Sequence, residues 1–248
     1  MIAIRREPAR RTGTEFEFRP AERAGHFAYG FNFYKIFWMF ALGSVTGFLT
    51  ETISCLVRFG LYEYRSSLIL SPFNLIYGVG AIAVSLGVTA LRAKRAPYIF
   101  VAGMVIGSVV EFVCSLFEET FFGTVSWDYS AYPFNLDGRV CLQYAFFWGA
   151  MALLWTWVVY PFYDRLLKRF SDAAGRTFAV VLLLVLLLDA AFSVTAVNRW
   201  IDRAVDTHPE TAIERVLDKY LPDERMALIY PHMKQAAWRT GVHRLDAP

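Results

Sequence analysis

Five stretches of this chain are apolar over lengths that cross a bilayer, and that property excludes most folds before any motif is considered. They cover about residues 34–57, 72–91, 98–121, 140–163 and 177–198. A hydrocarbon core of about 30 Å takes roughly 20 residues of helix. Only helices and closed barrels satisfy their own backbone in lipid, and unbroken runs without period-2 alternation select helices. The predicted fold is therefore all-α, a polytopic membrane protein with five transmembrane helices. Residues 1–33 read as a cytoplasmic polar tail, 34–198 as the membrane domain and 199–248 as a helical polar C-terminal tail.

Composition agrees where it matters. With 56% hydrophobic and 17% aromatic residues, a single soluble domain is excluded. A net charge of +3 is too small to argue for nucleic acid. Cys55, Cys114 and Cys141 have neither an even count nor metal-ligand spacing, so no disulfide framework follows. His26, His208, His232 and His243 all fall outside the apolar runs, which leaves no histidine for an intramembrane relay.

The first 33 residues are arginine-rich (Arg5, Arg6, Arg10, Arg11, Arg19, Arg23) and lack the short apolar core of a signal peptide. Phe27, Tyr29, Phe31, Phe33, Tyr34 and Trp38 then suit a membrane interface. Arg92, Lys94 and Arg95 in one loop, and Arg165, Lys168, Arg169 and Arg176 in another, mark the cytoplasmic side. The 58–71 and 119–139 loops then face outward, and five spans place the C-terminal tail outside. In that tail Pro209 suits a first helical turn. Ala212, Ile213, Val216, Leu217 and Tyr220 recur at helical spacing, Pro222 and Pro231 interrupt it, and Gly241 offers a stop.

An internal repeat gives the most specific expectation. Gly43, Gly47, Glu51 and Arg58 in the first run match Gly103, Gly107, Glu111 and Glu118 in the third, sixty residues on. Pro72-Phe73-Asn74-Leu75 recurs as Pro133-Phe134-Asn135-Leu136, sixty-one residues on. The first two helices thus read as a duplicate of the next two, in parallel orientation about an axis along the membrane normal. Gly-x-x-x-Gly lets backbones approach closely, so the first and third helices are expected to pack near that axis. Glu51 and Glu111 then meet at one depth, with Asp189 of the fifth run at a similar level. Arg58 and Glu118 are expected to form an ion pair, and Arg139 is a second counter-ion for Glu111 or Glu118. Ionisable groups inside a membrane default to a functional site. Asn74 and Asn135 either cap helices or join that pocket, and Asp128 and Asp137 are candidates for a hard metal ion.

Trp127-Asp128-Tyr129-Ser130 and the stretch from Pro133 through Asp137-Gly138-Arg139 to Leu142 resemble a bacterial membrane family, the "putative ABC-transporter type IV" or CmpB-like proteins. Glu51, Pro72, Tyr77-Gly78-x-Gly80, Glu111 and Glu118 carry the resemblance over about residues 36–200, with departures at Ser71, Leu75 and Ser126. The family name implies a permease. Because no Gly-x-x-x-x-Gly-Lys-Ser/Thr is present, ATP would act through a separate subunit docking on the 92–97 or 164–176 loop.

The leading expectation is a transporter or permease subunit in the cell membrane, with its carboxylate pocket in the outer half. Close carboxylates in a low-dielectric site do not both ionise cheaply, so one of them can carry a proton. A non-catalytic scaffold is the alternative, followed by an intramembrane enzyme acting on a lipid or envelope substrate. No cofactor is expected. The expected partners are the lipid bilayer and either a separate ATPase subunit or a second copy of the chain.

Overall fold

The computed structural model describes residues 26–30, 32–91, 95–203 and 208–235. The arginine-rich residues before His26, Phe31, the loop residues Arg92 and Lys94, residues 204–207 and Gly241 lie outside the described residues.

The apolar runs fold as α1 (Phe33–Phe59), α2 (Leu75–Ala90), α3 (Ala96–Phe122), α4 (Leu142–Leu154) and α6 (Asp172–Arg203). A π-helical turn, Trp155–Val159, joins α4 to α5 (Tyr160–Leu167) in one continuous rod. Local chemistry sets the ends. Asn32 caps α1 by accepting from the Lys35 N–H at 3.0 Å, and Pro97 sits in the first turn of α3. Both α1 and α3 stop at a glycine in the left-handed region, Gly60 at φ 67° and Gly123 at φ 62°.

Among the described residues, four helices are long and apolar enough to cross a membrane: α1, α3, the Leu142–Leu167 rod and α6. The second run yields only the 16 residues of α2, about 24 Å at 1.5 Å per residue. The residues preceding it form an irregular loop with bends at 67–71 instead, and Leu68 and Phe73 are buried. Buried irregular backbone survives only where other groups satisfy it. Here Ser66 Oγ accepts from Leu68 N–H (3.0 Å), Ser193 Oγ from Ile69 N–H (3.0 Å) and Asp189 Oδ1 from Leu70 N–H (3.1 Å). The Ser71 hydroxyl donates to the other Asp189 oxygen.

The closest packing is α1 on α2 and α3 on α4, with α2 against α3 and α6 against α1. The glycine faces of α1 and α3 therefore turn toward α2 and α4, not toward a shared axis as the sequence suggested. A Cβ at Gly43 would press on Ala81, and one at Gly103 on Ala152.

At one end of the bundle, residues 26–29 fold against the turn before α6. Phe27 N–H donates to Asp172 (2.6 Å), its ring covers Gly175, and His26 bonds the Phe170 carbonyl (3.1 Å). Phe27 is thus core, not an interfacial anchor. At the other end lie the 60–74 and 123–141 loops. The second of these holds β1 (Thr124–Val125) and a hairpin of β2 (Asn135–Leu136) and β3 (Val140–Cys141).

The C-terminal tail shares that second face. Its α7 (Ala212–Tyr220) and α8 (Asp223–Ile229) bury Leu217, Leu221 and Met226 against Ala196 and Val197 of α6. Thr211 and Glu214 form a capping box, so α7 begins at Ala212 and Pro209 precedes the cap instead of occupying the first turn. Beyond α8, β4 (Lys234–Gln235) pairs antiparallel with β1.

Candidate functional site

Helical spacing of four puts Gly47 and Glu51 on one face of α1, and Gly107 and Glu111 on one face of α3. With no side chain at the glycine, an aromatic ring from the neighbouring helix lies flat on each backbone. A Cβ at Gly47 would collide with the Tyr77 ring, and one at Gly107 with Trp148. Each ring then reaches the glutamate one turn on. Tyr77 donates its hydroxyl to Glu51 Oε1 at 2.8 Å, and Trp148 Nε1–H donates to Glu111 Oε2 at 3.2 Å.

The two rings stack on one another, with centroids 5.2 Å apart and 28° between planes. Glu51 and Glu111 are thereby linked by an aromatic bridge, Glu51–Tyr77–Trp148–Glu111. Glu111 takes a second bond from the Tyr129 hydroxyl at 2.9 Å, and Tyr129 stacks on Tyr144 at 4.5 Å. Burial and the Glu111 carboxylate hold the Tyr129 phenol well above the ordinary tyrosine range, so it remains a donor throughout the accessible pH range. Among the described residues no lysine or arginine hydrogen-bonds either glutamate. Arg65 and His232 act on Glu51 only through space, and Glu51 acts on Glu111 in the same way.

One turn nearer the tail face, each hairpin carries a clamp. Arg65 Nε donates to Cys55 Sγ at 3.2 Å and pairs with Glu63. Arg139 Nη1 donates to Ser115 Oγ at 3.2 Å and pairs with Asp137 and Glu119. Cys55 and Ser115 are sixty residues apart, and each arginine follows its acid by two. Arg139 is therefore not the counter-ion of Glu111 or Glu118, because Glu119 and Asp137 lie closer along its reach.

Glu118 accepts from Ser126 Oγ at 2.7 Å and Thr124 Oγ1 at 3.2 Å. The expected ion pair with Arg58 is not formed: Glu118 turns inward while Arg58 stays exposed at the end of α1. Asp189 does not join the glutamates either, since its oxygens bind the bent loop before α2. Asn74 precedes α2 without a side-chain cap and donates to the Arg65 carbonyl at 3.0 Å. Asn135 holds its own loop through the Ser130 and Tyr132 carbonyls and the Gly138 N–H.

The two Pro-Phe-Asn-Leu copies are thus not equivalent in space. The first leads directly into α2, whereas the second ends on β2 before α4 begins. Contacts match α2 to α4 at a displacement of seventy-one instead: Tyr77 with Trp148, Gly78 with Gly149, Ala81 with Ala152. Phe40 and Ser44 meet Gly78, and Phe100 and Met104 meet Gly149.

Asp128 accepts from the Ser130 N–H (2.9 Å) and hydroxyl (2.6 Å), and Asp137 faces Arg139, so both weak metal candidates have local partners. Among the described residues no group of three or more His, Cys, Asp or Glu side chains is arranged to hold a metal ion. Beneath the aromatic bridge, a cavity of about 30 Å³ is lined by Gly43, Thr46, Gly47, Tyr77, Trp148 and Trp155 among others. That is room for about one water molecule.

Sequence reasoning missed Tyr77, Trp148 and Tyr129 as donors, and Arg65 as a clamp. Nothing in the sequence pairs an aromatic ring with its acceptor, and only the packing of helices and loops shows what each one reaches. Arg65 did carry a signal, the acid-x-arginine pattern that Glu63/Arg65 shares with Asp137/Arg139.

Comparison with known proteins gives one match. Residues 38–194, more than half of the chain, fit the family model described as "Putative ABC-transporter type IV". No curated protein and no solved structure matches.

Proposed function

The chain belongs to the ABC-transporter type IV family, and from that premise we propose that it is a permease-type membrane protein with Glu51 and Glu111 as its working groups. The observation that carries this reading is the company the carboxylates keep. Both sit inside apolar helices, and among the described residues Glu51 takes its hydrogen bond from a tyrosine and Glu111 from a tyrosine and a tryptophan. An ionised carboxylate among neutral donors in a low-dielectric site is costly. A proton or a cationic ligand completes such a site, and exchanging it with one side of the membrane is a transport step.

Matching contacts in α1–α2 and α3–α4 support a duplicated, parallel hairpin, with α2 as a fifth, shorter span completed by the irregular loop before it. In this reading the tail face is outward and the N-terminal face cytoplasmic, following the Lys/Arg bias of the loops. Coupling to ATP needs a separate subunit. The turn before α6, one of its two expected docking loops, is packed under His26 and Phe27, which favours proton coupling over an ATP-driven cycle.

A scaffold is the second reading. It is favoured by the tight glycine contacts and by a central cavity no larger than one water molecule. Reconstitution separates the two. Proteoliposomes with an internal pH dye and an imposed proton gradient should show flux with the native chain, and Glu51→Gln or Glu111→Gln should each abolish it while leaving insertion intact. Flux indistinguishable from empty liposomes for the native chain, or unchanged in both variants, rejects the permease reading.

A further inference from the structure

Away from the Glu51–Glu111 site, one groove combines space, charge and lipid-facing surface. It lies on the half of α1 nearer the tail face, has a volume of about 330 Å³, and is lined by Thr50, Ile53, Ser54, Val57 and Arg58. Residues 50, 54 and 58 are spaced by four, so two hydroxyls and a guanidinium line up along one row of the helix, each step rising about 6 Å. Beside them Ile53 and Val57 are 58% and 79% exposed. On a helix long and apolar enough to cross a membrane, such surface meets hydrocarbon.

Four other arginines at this face are ion-paired. Arg65 is bound to Glu63, Arg139 to Glu119 and Asp137, and Arg199 and Arg203 to Asp218. Arg58 has no ion pair among the described residues. It sits in the last turn of α1, where a long basic side chain reaches the level of the headgroups.

We propose that this groove binds an anionic diacyl phospholipid, its phosphate on Arg58, its glycerol region at Ser54 and an acyl chain along Ile53 and Leu49. Free phosphate could make the same contact with Arg58. The exposed apolar wall commits the groove to a lipid, because only an amphiphile matches a guanidinium and hydrocarbon side by side. A phosphate contact here is charge-assisted, and it supplies an acid that none of the described residues does.

Native mass spectrometry of the full-length protein, released from detergent with added phosphatidylglycerol, phosphatidylcholine or inorganic phosphate, tests this. One phosphatidylglycerol should be retained about five-fold more tightly than phosphatidylcholine. Arg58→Gln should remove that preference, Val57→Trp should fill the groove and lower retention of both lipids, and Arg165→Gln on the opposite face should change nothing. Using Val57→Trp as well keeps the test decisive if Arg58→Gln folds poorly. Equal retention of the two lipids, a preference that survives Arg58→Gln, displacement of the lipid by inorganic phosphate, or a second copy of the chain in place of lipid would each overturn the proposal.

Discussion

Each glutamate of the central pair depends on a glycine one turn before it. Gly47 and Gly107 leave room for the rings of Tyr77 and Trp148, and those rings supply the hydrogen bonds. Gly47→Ala or Gly107→Ala would drive a methyl group into an aromatic ring, a form of overpacking that costs about 1–3 kcal/mol. Thermal unfolding in detergent should show the loss, and a midpoint equal to the native one would refute the packing account. Tyr129→Phe should leave stability largely intact yet impair any proton flux, since it removes one of two donors to Glu111 while preserving the ring stack. At this scale the sequence revealed the glutamates and glycines through their spacing. It could not reveal their donors, because an aromatic residue in an apolar helix reads as packing until its neighbour is known.

Among the elements, the least regular segment is also the most closely supported. Residues 66–74 hold three consecutive backbone N–H groups, those of Leu68, Ile69 and Leu70, on side-chain oxygens, two of which come from α6. Asp189 is thus a backbone partner for this segment and not a pocket residue. Asp189→Ala would leave the Leu70 N–H and the Ser71 hydroxyl without an acceptor, at about 1–3 kcal/mol for each unsatisfied group. Hydrogen exchange should rise first at residues 68–72, and unchanged protection there would count against the assignment. The apolar run at 72–91 predicted a helix of spanning length. Hydropathy does not distinguish buried irregular backbone from a helix, so the shortness of α2 was not legible. The Pro-Phe-Asn-Leu recurrence misled for a related reason: four matching residues fix no register, whereas the glycine contacts do.

Across the whole molecule, the tail folds back on the face that carries both long loops. Its anchor is Asp218, bound by Arg199 and Arg203 at 2.7 Å each. Hydrogen bonds from Arg199 and Arg203, with their positive charge, hold this carboxyl down at about 2, against an ordinary 3.8. Because the folded value lies below the unfolded one, the stabilisation is fully present above pH 4 and is lost as pH falls toward 2. Limited proteolysis should therefore release the 208–235 segment as pH drops through that window, and Asp218→Asn should release it at neutral pH. A cleavage rate independent of pH between 4 and 2 would show that other contacts hold the tail. Outside the family match, which ends at residue 194, the sequence showed only amphipathic spacing and no docking surface.

In the proposed permease, Glu51 and Glu111 act as one unit through stacked aromatic rings. Infrared difference spectroscopy of the full-length protein in lipid, stepped in pH, reads the carboxyl stretch of each group directly. A band that Glu111→Gln removes and Glu51→Gln displaces is the predicted result. A Glu111 band that stays in place when Glu51 is replaced would contradict the coupling and leave two separate, structural carboxylates.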